Sequence, residues 1–463
     1  MEKLQFDVVV IGSGPAGQKA AIQCSKLGRK TAVIERAPEP GGGCLYTGTI
    51  PSKTLREAII DLTRFYERSF DAVQCSIWEP NIKDLNSRLQ KVIEDEKNVV
   101  LRQFRRNHVR LISGVAQFQS PKTLIVVDEA YRLKYEISAD HIIIATGSKP
   151  RNPIDVPFDE EVIYDSTTFL NMGKIPKSMI VLGGGIIGAE YASFMATLGT
   201  KVTVIDKKSH ILPLLDSEIG MHLQNGLHEI GLEFAGNRKP VKIWRDSGQA
   251  MVECDDGSSF IADSVLFALG RTANAQALHL EHANIEIDQR GYIPVNALFQ
   301  TRQPHIYAVG DVIGGPCLAS TSMEQGRLAA RHACGVEMHL FPTNYPIGIY
   351  TIPEISSCGY TEDQLKELGY KFEVGRAYYH EIARSHIAGS HHGMMKIVFH
   401  SDTLEILGVQ VIGRGATELV HIGQVAMTYR AKIDSFIDQV FNYPTYAECY
   451  RVAALNGYNK LKK

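Results

Sequence analysis

Residues 8–17 read VVVIGSGPAG and residues 179–190 read MIVLGGGIIGAE. Each opens with a run of apolar, mostly β-branched residues and passes into three spaced glycines: Gly12, Gly14 and Gly17, then Gly183, Gly185 and Gly188. A helical pattern follows both. That context, strand then glycine turn then helix, gives the motif its chemical meaning. The first glycine permits a tight turn, the second lets backbone approach a pyrophosphate, and the third lets helix and strand pack closely. The start of the helix then offers unpaired N–H groups and partial positive charge to phosphates. Two such sites on one chain suggest two dinucleotides meeting, with electrons moving between them.

The 463 residues are enough for two to four domains with ample core. A hydrophobic content of 44% and a charged content of 22% are those of an ordinary globular protein. The net charge of −2 gives no electrostatic support for nucleic acid or an anionic membrane as partner. No apolar run approaches the roughly 18 residues of a membrane span. The first strand is expected at 7–11, which leaves no room for a signal or transit peptide. Cysteines 24, 44, 75, 254, 317, 334, 358 and 449 are scattered without a CxxC pair, as expected of reduced thiols in the cytoplasm.

Working outward from the first fingerprint, residues 6–38 read as a βαβ unit: helix at 18–27, strand at 31–35. A glycine stretch at 41–43 runs into a helix starting near Ser52, and 53–108 carry the spacing of two long amphipathic helices. Arg102, Arg105, Arg106 and Arg110 at the end of the second read as a solvated face. A buried strand at 142–145 leads to a proline-marked crossover at Pro150 and Pro153. The second βαβ unit covers about 177–206, with polar hairpins near 246–248 and 255–257. Buried strands break at Gly270 and at Gly310–Asp311. From about 345, strands at 396–399 and 407–411 alternate with helices at 361–368 and 416–429. The fold class is therefore α/β: two Rossmann-like dinucleotide-binding domains plus a C-terminal α+β interface domain. The expected domains are 1–150 with 272–344, an inserted 151–271, and 345–463.

Glu35 ends the strand TAVIE, where an acidic residue accepts hydrogen bonds from adenosine ribose hydroxyls; Arg36 follows it. Asp311, in AVGDVIGG, stands where a strand breaks and can meet a ribityl or diphosphate-side group. At the end of KVTVIDKKSH, Asp206 holds the ribose-binding position that suits NAD, and Lys207 and Lys208 offer charge for the 2′-phosphate of NADP. That pocket can accept both. His391–His392 lack partners at ligand spacing, so no metal site is expected.

The decisive stretch is GGGCLYTGTIPSK at 41–53. With the two fingerprints, ATG at 145–147 and GD at 310–311, it resembles the FAD-dependent pyridine nucleotide–disulfide oxidoreductases along essentially the whole chain. The resemblance implies FAD on the first fingerprint, with Gly43, Cys44, Lys53, Thr146, Gly147 and Asp311 among its contacts. It implies NAD or NADP on the second, near Gly270. It pairs Lys53 with Glu190 near the flavin N5, and it implies a homodimer or higher homo-oligomer. The family carries two cysteines five positions apart here, forming a redox disulfide; this chain has Cys44 and then Thr49. The family's C-terminal His-Pro-Thr, with its Glu following, reads Tyr443-Pro444-Thr445 with Glu448. Loss of the second sulfur removes thiol–disulfide exchange, and without exchange the acid/base His has no task. Within the family this pattern is similar to the soluble pyridine nucleotide transhydrogenases, which exchange hydride between NADPH/NADP+ and NADH/NAD+ through the flavin. Lys53 and Glu190, with Cys44, Tyr443 and Glu448, are then the candidate catalytic residues. A dehydrogenase passing electrons to a quinone, dye or oxygen shares every motif. A non-catalytic flavin-bound sensor would predict decay at Lys53, Glu190 or the second fingerprint. Retained disulfide reductase activity would need another thiol, such as Cys317 or Cys358; Cys449 reads as packing.

Overall fold

The computed structural model describes residues 2–67, 82–128, 130 and 132–461, without the side chains of 64–67 and 82–84. Cys75 and the middle of the helical stretch expected over 53–108 lie outside the described residues. The chain divides into two compact units: Met1–Leu55, Leu85–Arg151 and Gly270–Pro342 form one, and Arg56–Asp84, Asn152–Leu269 and Thr343–Lys463 the other.

The first unit is built on the strand Glu2–Ile11, whose residues 8–11 are buried on both faces. Such a continuous apolar run suits the centre of a parallel sheet, where side chains on both faces leave water. It pairs in parallel with Thr31–Glu35 on one side and with Leu133–Ile144 on the other. Arg110–Ser113 and Ile306–Ala308 extend the parallel set at its two ends. The long strand Leu133–Ile144 also pairs antiparallel with Thr123–Val127, which continues to Val115–Ser120. Helices Pro15–Lys26 and Ala319–Ala333 pack on each other and share an apolar cluster with the sheet.

The second unit repeats this plan. Ser178–Leu182 is central, with Lys201–Ile205 and Leu232–Ala235 on one side and Ser264–Phe267 and Ile163–Asp165 on the other, all parallel. A three-stranded antiparallel meander again follows, here Pro240–Asp246, Gln249–Cys254 and Ser259–Ala262. The repeat is thus wider than the two fingerprints: it includes the meander, whose polar sequence carries no shared motif. A five-stranded antiparallel sheet completes the unit, in the order Ile347–Ile349, Ile355–Gly359, Ile406–Ile412, Met394–His400, Phe372–Tyr378.

Several boundaries differ from expectation. The first strand begins at Glu2 rather than 7, because its early residues already pair with 135–139. The fingerprint helix begins at Pro15, not 18; Gly14 is the N-cap and proline at the first helical position lacks only an N–H that would have no intrahelical partner. A short helix Gly42–Tyr46 precedes Thr49–Glu67, which starts before Ser52. Arg110 opens a strand instead of ending the helix Ile82–Arg106. Among the described residues, no helix is long and apolar enough to cross a membrane.

One charged residue interrupts the apolar strand Met394–His400. Lys396 is buried, and its ammonium meets Asp216 at 2.8 Å, Glu218 at 2.9 Å and Glu362 at 2.7 Å. Arg376 adds a two-pronged pair to Glu218. Asp216 also caps the helix Ser217–Glu229 through the Glu218 N–H. The network ties that helix to the C-terminal sheet within the unit. Burial opposes ionisation of Glu218, but hydrogen bonds from Arg376 and Lys396 and their charge outweigh it and hold the carboxyl at about 2. A depressed carboxylate stabilises the fold above its unfolded value, and that contribution is lost as pH falls from about 4.3 toward the folded value. We therefore expect urea midpoints to fall between about pH 4.3 and 2, with Glu218→Gln flattening the fall. Removing the cation by Lys396→Ala strands buried carboxylates and should cost on the order of 3–5 kcal/mol in the same titrations at neutral pH. A wild-type-like midpoint for Lys396→Ala would contradict this account.

Candidate functional site

In the first unit the chemistry gathers at the carboxyl ends of the parallel strands, the usual ligand side of such sheets. A Cβ on Gly12 would lie 2.4 Å from the Ala145 carbonyl oxygen, and one on Gly17 only 1.9 Å from that of Gly12. A Cβ on Gly14 would meet nothing within 4 Å. Two glycines are thus fixed by protein packing, and the third faces open space at the N-terminus of the helix Pro15–Lys26, which no side chain caps. Glu35 is buried, and its carboxylate accepts the Ser13 N–H at 2.9 Å and the Ala37 N–H at 2.9 Å. Ser13 in turn accepts the Gly41 N–H at 2.9 Å, which brings the glycine stretch onto the loop. Gly42 lies against it, since a Cβ there would fall 2.7 Å from the Gly14 Cα. Arg36 and Gly43 are exposed.

Thr146 Oγ1 is buried without a hydrogen-bond partner, an acceptor and donor held ready beside the loop. Asn274 fixes its backbone: the Asn274 side chain donates to the Thr146 carbonyl at 3.0 Å and its N–H to the Gly147 carbonyl at 2.9 Å. Asp311 accepts the Ser148 hydroxyl at 2.7 Å, and Ser148 is itself held by Arg271 at 2.8 Å. Gly310 donates to Gln325 at 2.7 Å. The Cys44 thiol is pushed up by burial, against a hydrogen bond with Thr49 and the charge of Lys53. At neutral pH it is a protonated thiol rather than a thiolate nucleophile. The open space at Gly14, the uncapped helix, the ribose-height carboxylate and the orphaned Thr146 hydroxyl together fit an adenine dinucleotide.

The second unit repeats the cradle. A Cβ on Gly188 would lie 1.8 Å from the Gly183 carbonyl oxygen, whereas one on Gly185 would meet nothing within 4 Å. Gly14 and Gly185 even share an N-cap conformation, with φ −66° and −75°. Asp206 accepts the Gly184 N–H at 2.6 Å, as Glu35 accepts that of Ser13. Its other oxygen takes the Lys208 N–H at 2.8 Å, and both Lys207 and Lys208 are exposed. Gly270 has φ +101° and its carbonyl accepts the Arg151 N–H within the first unit.

Glu190 is buried on the helix Ile186–Thr197 and accepts the Tyr350 N–H at 2.8 Å. That loop is held in turn by Arg56, which donates to the Thr351 carbonyl at 3.0 Å and lies over the Tyr350 ring. In the C-terminal part of this unit Tyr443 is 74% exposed, and Glu448 opens the helix Glu448–Tyr458 with a long bond from the Thr445 N–H, 3.4 Å. Cys449 is wholly buried, its thiol pushed up to about 12 by burial and by Glu448. Cys358 is buried likewise, its thiol pushed up to about 11. Cys317 is exposed.

Sequence reasoning missed Ser13, Ser148, Arg271, Asn274, Gln325, Arg56 and Tyr350. Ser13 sits at a variable position of the fingerprint, and the others act by hydrogen bonds or ring contacts that no spacing rule encodes. Arg271, directly after Gly270, is the one with a positional hint.

Two matched nucleotide cradles define the class: a protein that uses two dinucleotides. The chain belongs to the pyridine nucleotide-disulphide oxidoreductase family, whose model matches residues 6–326, with the family's dimerisation domain matching residues 345–454. It is similar to a soluble pyridine nucleotide transhydrogenase of Mycobacterium bovis, 44% identical over 459 residues that span 99% of this chain and 98% of the relative. A transhydrogenase of Photorhabdus laumondii is 41% identical over 468 residues, covering all of both chains. Among solved structures, the HOCl-induced flavoprotein disulfide reductase of Escherichia coli superposes with a TM-score of 0.87 at 26% identity, over 97% of this chain and 99% of that one.

The two kinds of glycine separate folding from binding. Gly17→Ala should destabilise the first unit by about 1–3 kcal/mol or prevent folding, since the clash is with backbone. Gly14→Ala should fold with a melting curve near wild type yet lose about tenfold or more in FAD affinity, read as FAD per chain after dialysis. Wild-type FAD content in Gly14→Ala would remove that position from the phosphate cradle.

Proposed function

We propose that this protein is an FAD-dependent NAD(P)+ transhydrogenase that moves a hydride between NADPH/NADP+ and NADH/NAD+ without a redox disulfide. The observation that carries the reading is Thr49. It gives Cys44 a hydroxyl partner where the family's redox chemistry needs a second sulfur, while both nucleotide cradles are intact. When bound, the flavin supplies the two-electron chemistry, accepting a hydride from one nicotinamide nucleotide and returning it to another.

The chain's own residues bind, orient and set charge. The loop Gly12–Gly17 and the helix behind it hold the FAD pyrophosphate, Glu35 the adenosine ribose, and Thr146 and Asp311 the remainder of the cofactor's polar length. Ser148 and Arg271 position Asp311. Lys53 supplies a cation for the negative charge of reduced flavin, and Glu190 a buried carboxylate on the second nucleotide fold. Gly183–Gly188 take the second pyrophosphate. Asp206 bonds the 2′-hydroxyl of NAD, and Lys207 and Lys208 meet the 2′-phosphate of NADP, so one pocket serves both in turn. Catalysis in this scheme is positioning and electrostatics. The protein assembles as a homodimer or higher homo-oligomer, and exposed apolar residues of its C-terminal part, among them Val425, Tyr429, Val440 and Tyr443, are available to that interface. The partner's Tyr443–Glu448 stretch then takes the place of the family's acid/base segment, with no proton to carry between thiols.

The direct test is acceptor choice at steady state. NADPH should be consumed with an NAD+ analogue of distinct absorbance as acceptor, and not measurably with oxidised glutathione or lipoamide. Faster turnover with a disulfide or quinone than with the nucleotide would reject the proposal. In a second measurement, replacing Lys207 and Lys208 together by Ala should raise Kd for NADPH by about tenfold while leaving NADH within about twofold. Equal losses for both nucleotides would deny the lysines a role in reading the phosphate.

A further inference from the structure

Cys24 and Cys334 stand at opposite ends of the first unit's sequence and in neither nucleotide motif. The fold nevertheless brings their thiols into hydrogen-bond contact. The cause is a close helix pair. The helix Ala319–Ala333 packs along Pro15–Lys26, and a Cβ at Gly326 would fall 2.1 Å from the Ala16 carbonyl oxygen. Further along the same four-residue rows come Ala20 and Cys24 on one helix, and Ala330 and Cys334 on the other, all in one buried cluster. Small residues throughout let the backbones approach, and the rows end on the two sulfurs. Arg29 joins them: its N–H donates to the Cys24 carbonyl at 3.1 Å, and its guanidinium reaches the Cys334 carbonyl at 3.4 Å. The Cys24 thiol is pushed above its ordinary range by its bond with Cys334 and by burial. That same bond, helped by Arg29 and opposed by burial, lowers the Cys334 thiol. The two thiols share a hydrogen bond beside a guanidinium, which favours loss of one proton from the pair and so supplies the thiolate that thiol oxidation needs.

We propose that Cys24 and Cys334 form a redox-active dithiol, separate from the flavin site, that hydroperoxides convert to a disulfide. The Cys334 thiolate attacks one peroxide oxygen, the O–O bond breaks, and a sulfenic acid forms as hydroxide leaves. The Cys24 sulfur then displaces the sulfenic oxygen, which departs as water with the Cys24 proton. The two thiols lose two electrons, and the peroxide, taking up the protons, ends as two waters. The bond staples two helices with roles at the FAD site, one through the uncapped N-terminus beside Gly14, the other through Gln325, which holds Gly310 next to Asp311. That consequence rests on the function proposed above; the thiol chemistry does not.

The test uses the full-length holoprotein, reduced, freed of reductant, treated with hydrogen peroxide, then denatured, alkylated and digested without reduction. A peptide linking Cys24 to Cys334 should dominate, vanish with dithiothreitol, be absent from Cys24→Ser and from Cys334→Ser, and persist in Cys254→Ser. Recovery of both residues as alkylated thiols, or of Cys334 only as sulfinic acid, would overturn the proposal. The oxidised protein should also release FAD in urea at least roughly tenfold more slowly than the reduced protein. Equal release rates in the presence of the linked peptide would reject the staple. Failure of the acceptor assay would leave the linked-peptide result standing, so the two ideas fail separately.

Discussion

Everything at the nucleotide sites depends on backbone meeting backbone where a Cβ cannot fit. Gly17 over the Gly12 carbonyl, and Gly188 over that of Gly183, leave less than 2 Å for a side chain. That contact fixes each fingerprint helix against its strand and aims an uncapped helix start at open space. The acidic residues complete the arrangement: Glu35 and Asp206 each accept an N–H from the glycine loop of their own fold, so strand end and glycine loop form one hydrogen-bonded frame. With that frame rigid, the polar groups that converge on it need little reorganisation when a dinucleotide binds.

The same economy of contacts appears where charge is buried. Lys396 would be costly inside a sheet, yet three carboxylates satisfy it, Arg376 shares Glu218 with it, and Asp216 doubles as a helix cap. The network links a helix of the second nucleotide fold to the C-terminal sheet. A buried charge network contributes specificity of docking more readily than net stability, which suits a unit that must hold a nucleotide fold in fixed relation to an interface domain.

Much of this was legible in the sequence. The glycine spacing, the acidic residues at strand ends and the paired loss of sulfur and histidine are local signals, and their positions in the fold follow from strand and helix periodicity. Helix starts were harder, because Pro15 and Thr49 precede the apolar spacing that marks a helix. The supporting shell was not legible. Ser13, Asn274 and Gln325 act through individual hydrogen bonds to loop backbone and neighbouring side chains, and Arg56 reaches the Tyr350 loop from a distant helix. Lys396 left a trace, one charge in MMKIVFH, without naming its partners. Cys24 and Cys334 left none: their contact depends on two rows of small residues registering across a helix pair, which no motif records.

The central claim is that one bound flavin passes electrons between two nicotinamide nucleotides with no thiol between them. The most direct measurement is anaerobic stopped-flow. The bound flavin is reduced with one equivalent of NADPH and then mixed with NAD+ while its absorbance is followed. Rapid reoxidation with one NADH formed per flavin is the predicted result. A reduced flavin that NAD+ leaves unchanged, but that a quinone or an oxidised thiol reoxidises, would contradict it.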